Sequence, residues 1–289
     1  MTATTTAGRQ IATPLSGKAL AAEIRRRTTE RVTALAAAGT ITKLVVVTAT
    51  DDESSIWYVR SIAKAAAAVG IDCDIADLGP TASPSHIRHT LRDLSQDPTV
   101  HGIILQTPLP SGVQLSDLAG DIAPAKDVDG ANPASLGRCA AGQPGFAPAT
   151  AEAVLELLDH HAVELEGRHV AIVGRSIVVG TPVALLLLDR RATVTVCHSR
   201  TTALESHTSR ADIVVVAVGK PGLVSAGHVA PGAVVIDVGT TPSENGGLLG
   251  DVDVAEVERV AGALTPVPGG VGPVTTALLL SHTADAAER

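Results

Sequence analysis

The stretch HVAIVGRSIVVGTPVALLLL, His169 to Leu188, sets a β-branched run, a turn bounded by Gly174 and Gly180, and a Leu-rich apolar run in succession. That order reads as strand, turn and helix. Gly174 ends the strand and Gly180 opens the helix, so backbone N–H groups and the helix N-terminus can approach a pyrophosphate. The spacing is G-x-S-x-x-x-G rather than G-x-G-x-x-G, which leaves an ordinary strand-to-helix turn with two convenient glycines as the alternative.

The same alternation extends in both directions. Short β-branched runs at Leu44–Val47, Cys73–Ala76, Gly102–Gln106, His169–Val173, Thr193–Cys197, Ile213–Ala217 and Ala233–Val238 are predicted strands. Ala- and Leu-rich segments at Lys18–Ala38, Ser55–Val69, Pro84–Leu94, Ala151–Leu158, Thr181–Asp189, Thr202–Ser209 and Val274–Ala287 are predicted helices. Continuously apolar strands separated by helices imply parallel sheets covered on both faces, an α/β fold. The segment AAGQPGFAPAT, Ala140–Thr150, has small residues, Gly and Pro without a periodic apolar pattern, and is read as a domain boundary. Two lobes are expected: a substrate domain of residues 1–147 joined by a returning last helix, 274–289, and a Rossmann-like nucleotide domain of residues 148–273, with a cleft between them.

Composition narrows the function classes. The chain has 289 residues, 45% of them hydrophobic and only 1% aromatic, with a net charge of -8 and no run of like charges. Nucleic acid and anionic membrane are therefore not expected as partners, and a small molecule is. Three cysteines without C-x-x-C spacing suggest neither a disulfide framework nor a zinc site, and no metal is expected. With no signal-peptide pattern and no apolar run of membrane-spanning length, a cytoplasmic protein is expected.

The strand after the glycine turn decides the cofactor expectation. An NAD-preferring site places Asp or Glu at its end to accept from the ribose 2'-hydroxyl. Here it ends Cys197, His198, Ser199, Arg200. With no carboxylate there, and with Arg175 and Arg200 available to pair with a phosphate, NADP is expected over NAD. The competing reading is that both arginines are solvated surface residues.

Four further loops follow apolar strands or join helices: HGIILQTPLP (His101–Pro110), AKDVDGANP (Ala125–Pro133), VVIDVGT (Val234–Thr240) and TPVPGGVGPVT (Thr265–Thr275). In open α/β sheets ligands bind outside the carboxyl ends of the strands, where such loops lie. Taken with GRSIVVGTP and CHSRT, they closely resemble the methylenetetrahydrofolate dehydrogenase/methenyltetrahydrofolate cyclohydrolase family of FolD type, from SGKALAAEIR at Ser16 to the last helix. The resemblance implies a homodimer with a folate cleft between the lobes and NADP on the second lobe. It assigns Tyr58, Gln106 and Asp129 to catalysis and substrate binding, with Pro268, Gly269 and Gly270 at the substrate. Gly174, Arg175, Ser176, Gly180, Ser199, Arg200, Gly219 and Thr240 fall to the cofactor. A carboxylate at Asp129 can accept the exocyclic N–H groups of the pterin. Asp127 is open to two readings, a turn or cap carboxylate and a site residue.

One family signature is broken. The helix motif Y-x-x-x-K reads Tyr58, Val59, Arg60, Ser61, Ile62, so isoleucine stands at the position of the family's catalytic lysine. Lys64 does not replace it: position i+4 lies about 40° from Tyr58 on the helical wheel and i+6 about 240°. Other departures are Asp51–Ser54 in the loop before that helix, Trp57 as an apparent insertion, Pro148–Ala151 in place of P-C-T-P, and Asp237–Thr241 reading DVGTT. Hydride transfer demands orientation, whereas opening the methenyl ring with water demands proton transfers that an isoleucine cannot supply. Three readings follow: an NADP-dependent methylenetetrahydrofolate dehydrogenase with weak or lost cyclohydrolase, an NADP-dependent oxidoreductase of another imine or pterin, and a non-catalytic folate or NADP binder. Tyr58 is expected to wall the cleft, with Trp57 thickening that wall.

Overall fold

The computed structural model describes residues 11–243 and 246–289. In chain order the elements are β1 (Thr13–Pro14), α1 (Lys18–Ala37), β2 (Lys43–Thr48), α2 (Glu53–Ala68), β3 (Asp72–Asp77), α3 (Pro84–Gln96), β4 (Gly102–Leu105), α4 (Pro133–Ala140), α5 (Ala149–His160), β5 (His169–Val173), α6 (Gly180–Asp189), β6 (Thr193–Cys197), α7 (Leu204–Thr208), β7 (Ile213–Val216), β8 (Val234–Asp237), β9 (Thr241–Pro242), β10 (Leu248–Leu249), α8 (Val254–Val257), β11 (Ala263–Leu264) and α9 (Val271–Ala287). The larger sheet is ordered β1-β11-β8-β7-β5-β6 and the smaller β3-β2-β4, every pairing in both being parallel.

The apolar runs behave as a doubly wound fold requires. Leu44, Val46 and Val47 of β2 are wholly buried, as are Val170, Ala171 and Ile172 of β5. In the small sheet β2 connects to β3 on one side while β4 lies on the other, so the strand order reverses at β2 and β4. In the large sheet the reversal falls at β5, between β6 and β7. Ligand crevices of open parallel sheets form at such points, outside the carboxyl ends.

Three differences from the sequence reading have local causes. Asp52 caps α2 by accepting from the Ser55 backbone N–H at 2.8 Å, so Glu53 and Ser54 are helical rather than loop. The helix α4 was not anticipated; Asn132 caps it, with Pro133 at its first position. The boundary segment is not featureless, because Phe146 within it is buried with Val59, Ile62, Ala149 and Leu280.

Two helices each contribute to two of the four buried apolar clusters. In α9, Val271, Val274, Ala277 and Leu278 pack with β5 and α5, while Leu279, Leu280 and Ala284 pack with β2 and α2. In α1, Leu20, Ala21 and Ile24 join the first of these clusters and Val32 the second. The start of α1 lies on the loop leading into α9: a Cβ on Gly17 would stand 2.1 Å from the Gly270 carbonyl oxygen.

Gly130 is similarly constrained. Its φ is +65, and an added Cβ would lie 2.5 Å from the carbonyl carbon of Ala147. Gly39 has φ +92 but open space around it. In urea denaturation, Gly39→Ala is expected to cost about 1 kcal/mol, for backbone strain alone, and Gly130→Ala about 3 kcal/mol or more. Equal losses would show that the 130–147 approach is unimportant.

Candidate active site

The carboxyl ends of β2 and β4 carry the first group of site residues. The Gln106 N–H donates to Val47 O at 2.9 Å, which seats Gln106 at the strand reversal. Its side-chain amide donates to Thr107 O at 2.6 Å, and Ser55 Oγ of α2 donates to the same carbonyl at 3.2 Å. This ties α2 to the Gln106 loop, whose Thr107–Pro108 bond is cis. One turn further along α2, the half-buried Tyr58 faces the Thr276 hydroxyl of α9 and the Asp129 charge. Burial first, and then Asp129, push the Tyr58 phenol up to about 12, so it serves as a neutral hydroxyl and a ring wall.

The two carboxylates of the 127–129 loop have different environments. Asp127 is fully buried and accepts from Ala131 N at 3.0 Å, Asn132 N at 2.8 Å and Ser135 Oγ at 2.6 Å. Those donors belong to the turn and first residues of α4, which supports the cap reading. Asp129 is half-buried, and its carboxylate accepts no hydrogen bond among the described residues. Burial and the neighbouring Asp127 raise it to about 7 against the opposing influence of His282. A carboxylate so placed lacks the partners that a structural acid would have, and is free to accept from a ligand.

Ile62 has no such freedom. It lies four residues after Tyr58, is 0% exposed, and belongs to the stripe Ser55, Val59, Ile62, Ala66 that α2 buries. Lys64 is exposed. Lys43 pairs with Asp74 at 2.7 Å, and Lys126 donates to the carbonyls of Leu94 at 3.3 Å and Asp97 at 2.5 Å. Lys18, the first residue of α1, lies along Gly269. Trp57 is 68% exposed and makes no ring contact among the described residues, so it stands beside the Tyr58 wall without packing on it.

The second group gathers at the carboxyl end of the large sheet. Val173 is in register with both Cys197 and Val216, and Val216 with Asp237. Arg175, Ser199, Gly219 and Thr240 thus leave the sheet along one edge. Gly174 has φ +125, and a Cβ there would stand 2.2 Å from Ala217 O; one on Gly180 would stand 2.1 Å from Gly174 O. Glycine is needed at both places to bring strand, turn and helix this close. Ser176 Oγ accepts from Val179 N at 3.2 Å and Gly180 N at 3.5 Å. The guanidinium groups of Arg175 and Arg200 are exposed and have no hydrogen-bond or ion-pair partner among the described residues. The donors of this edge fit a dinucleotide phosphate.

Sequence reasoning missed the acids that hold these loops. Asp251 is wholly buried and accepts from Val218 N at 2.7 Å, Gly219 N at 2.9 Å and Lys220 N at 2.7 Å. Asp237 accepts from Gly239 N at 2.9 Å, Asp251 N at 2.9 Å and Val252 N at 3.0 Å, and burial raises it to about 6. Only the DVG triplet hinted at this role; Asp251 has no comparable local signal. Thr276 and His282 were also missed, as single polar residues on an apolar helix. Pro268, Gly269 and Gly270 lie between the two groups: Val267–Pro268 is cis, Gly17 N donates to Gly269 O at 2.9 Å, and Gly270 leads directly into α9. Among the described residues no group of three metal-ligating side chains is present, and no helix is long and apolar enough to cross a membrane.

Comparison with known proteins agrees with this geometry. Residues 15–129 match the catalytic domain, and residues 148–289 the NAD(P)-binding domain, of tetrahydrofolate dehydrogenase/cyclohydrolase. The chain is 64% identical over 273 residues to the bifunctional protein FolD 1 of Rhodococcus jostii, covering 94% of this chain and 92% of that one. The FolD crystal structure from Campylobacter jejuni superposes with a TM-score of 0.92 at 38% identity, covering 96% of this chain and 99% of the other. The Trypanosoma brucei enzyme, solved with NADP cofactor and inhibitor, superposes with a TM-score of 0.91 at 36% identity over 96% of this chain and 98% of its own.

The environment of Asp129 has a thermodynamic consequence. Its folded pKa, about 7, lies above the ordinary 3.8, so the folded state holds its proton more tightly than the unfolded chain does. The stability contributed by that proton is present at low pH and is lost as pH rises through about 7. In ligand-free melts, Asp129→Asn is expected to match the wild type near pH 4 and to become progressively the more stable of the two up to neutrality. A difference independent of pH would contradict the assigned environment.

Proposed function

The chain belongs to the tetrahydrofolate dehydrogenase/cyclohydrolase family, and from that membership we infer that it is an NADP-dependent 5,10-methylenetetrahydrofolate dehydrogenase of one-carbon metabolism in which the cyclohydrolase step is weak or lost. The observation that carries the second half is Ile62. It occupies the fourth position after Tyr58, is sealed in the core and carries no titratable group.

Each residue group has a definable task. Asp129, whose carboxylate has no hydrogen-bond partner among the described residues, accepts from the exocyclic N–H groups of the pterin. The Tyr58 ring walls the cleft and its neutral hydroxyl offers a hydrogen bond, while Gln106 presents its carboxamide from the facing loop. The rim Pro268–Gly270 bounds the opening toward the second lobe. Gly174, Ser176 and Gly180 bring backbone N–H groups to a pyrophosphate. Arg175, Ser199 and Arg200 offer charge and a hydroxyl to a 2'-phosphate, with no carboxylate nearby to prefer the unphosphorylated ribose. Gly219 and Thr240 complete the edge. NADP, when bound, supplies the acceptor for a hydride from the one-carbon bridge of the folate. The protein's part in that step is to align folate and cofactor, which Asp129, Gln106 and the turn can do without a proton-transfer group. Ring opening of the methenyl product needs a group that removes and delivers protons, and here that position is hydrocarbon. The homodimer remains part of this proposal, supported by β6, an open sheet edge with Val196 41% exposed.

Two measurements test these assignments. Arg200→Ala is expected to weaken NADP+ binding by roughly one to two decades and to leave NAD+ nearly unchanged, as the loss of one charge-assisted hydrogen bond requires; equal losses for both by calorimetry would remove Arg200 from the phosphate site. Supplied with methenyltetrahydrofolate, the enzyme is expected to open the ring about 10² to 10⁴ times more slowly than a relative bearing the lysine, while methylenetetrahydrofolate and NADP+ still yield NADPH. Ring opening at the relative's rate would refute the reading of Ile62. If folate binds but neither reaction turns over, the protein is a binder and not an enzyme.

A further inference from the structure

A buried ionic group behind the cleft belongs to none of the roles above. His282 of α9 is 5% exposed. Its Nδ1 lies 2.8 Å from Val128 O, and its Nε2 lies 3.1 Å from Glu152 Oε2 of α5. A carbonyl and a carboxylate only accept, and neutral imidazole has a single N–H, so satisfying both contacts takes the doubly protonated ring. Phe146 stacks beside it with ring centroids 5.0 Å apart, and the Arg289 guanidinium lies over that phenyl ring at 4.6 Å. Burial alone would lower this histidine. The hydrogen bond and charge of Glu152, the Val128 carbonyl and Asp285 on the same helix outweigh burial and hold it above its ordinary value. Asp285 is itself paired with Arg31 of α1.

Val128 sits between the two carboxylates of the substrate loop, so His282 holds the backbone immediately before Asp129. The charged groups acting on Asp129 from around it are Asp127, which raises it, and His282, which lowers it, while the neutral Tyr58 faces it from α2. Asp127 has three donors of its own, whereas Asp129 has none among the described residues. We propose that His282, kept as an imidazolium by Glu152, is a positioning residue that favours the ionised form of Asp129 and holds its loop in register for the pterin. This rests on the reading of Asp129 as the pterin acceptor. It extends the substrate site to a Glu152–His282 pair linking the C-terminal helix to α5.

The test is the pH dependence of tetrahydrofolate affinity, measured by calorimetry on the full chain. For the wild type, affinity is expected to fall on the acid side as Asp129 takes up its proton. His282→Asn keeps a donor for Val128 O but removes the charge, and Glu152→Gln leaves the ring in place but removes the group that keeps it protonated. Both are expected to move the acid limb up by about one pH unit, which is about tenfold weaker binding within the limb, and to approach wild-type affinity above it. Asp129→Asn is expected to weaken binding at every pH and to abolish the limb. An unmoved limb in both folded variants, with only the melting temperature lowered, would reduce the pair to a structural contact and overturn the proposal. If His282→Asn does not fold, Glu152→Gln decides by the same criterion. Should Asp129→Asn bind tetrahydrofolate as the wild type does, the acceptor reading itself fails, and the His282 proposal with it.

Discussion

The hydrogen bonds that close on the Asp127 carboxylate determine what the next carboxylate can do. Because Ala131, Asn132 and Ser135 all donate to Asp127, the turn from residue 127 into α4 is locked, and no donor of that turn remains for Asp129. The loop is also anchored from below, where Ile103 of β4 donates to Lys126 O at 2.8 Å, and from above, where Gly130 passes against Ala147 and Pro148. A carboxylate with three short donors is a stable internal cap; a half-buried carboxylate with none is an acceptor awaiting a ligand. The division of labour between these acids follows from backbone geometry more than from their own chemistry.

Helix α9 carries that geometry across the molecule. Its first turns pack with β5 and α5 and its later turns with β2 and α2, each fully buried Leu or Val contributing about 1.5 to 3 kcal/mol. The helix begins at the rim of Gly269 and Gly270, passes Tyr58 at Thr276 and reaches the substrate loop at His282. Displacing it would disturb the rim, the aromatic wall and the acid together. Asp237 and Asp251 do for the loops after the large sheet what Asp127 does for the turn into α4: they consume backbone donors so that Gly219 and Gly239 keep their positions.

Much of this was legible in the residues. The strands His169–Val173 and Thr193–Cys197 have the predicted limits because short β-branched runs, HVAIV and TVTVC, lie between turns. The glycine turn and the position of Ile62 on α2 were also readable, since each depends on local spacing. The short edge strands β1 and β11 were not, because two-residue strands exist only through pairing with distant partners. The caps formed by Asp127 and Asp251 were likewise hidden: which of several acids in a loop turns inward depends on donors that the fold assembles. His282 gave no local sign, since its partners lie at Val128 and Glu152. The exposure of Trp57 could not be inferred from its being the single tryptophan of the chain.

Under the proposed function, Ile62 separates two reactions that would otherwise share one cleft. In that proposal Asp129, Gln106 and the nucleotide turn keep the orienting role, while Ile62, at the fourth position after Tyr58, is buried in the core. The proposal therefore requires that the methenyl product leave intact. The most direct test follows product identity while methylenetetrahydrofolate and NADP+ are consumed. The expected result is one methenyltetrahydrofolate accumulating for each NADPH formed, and decaying no faster than in buffer. Formyltetrahydrofolate appearing in step with NADPH, with no methenyl intermediate released, would contradict it.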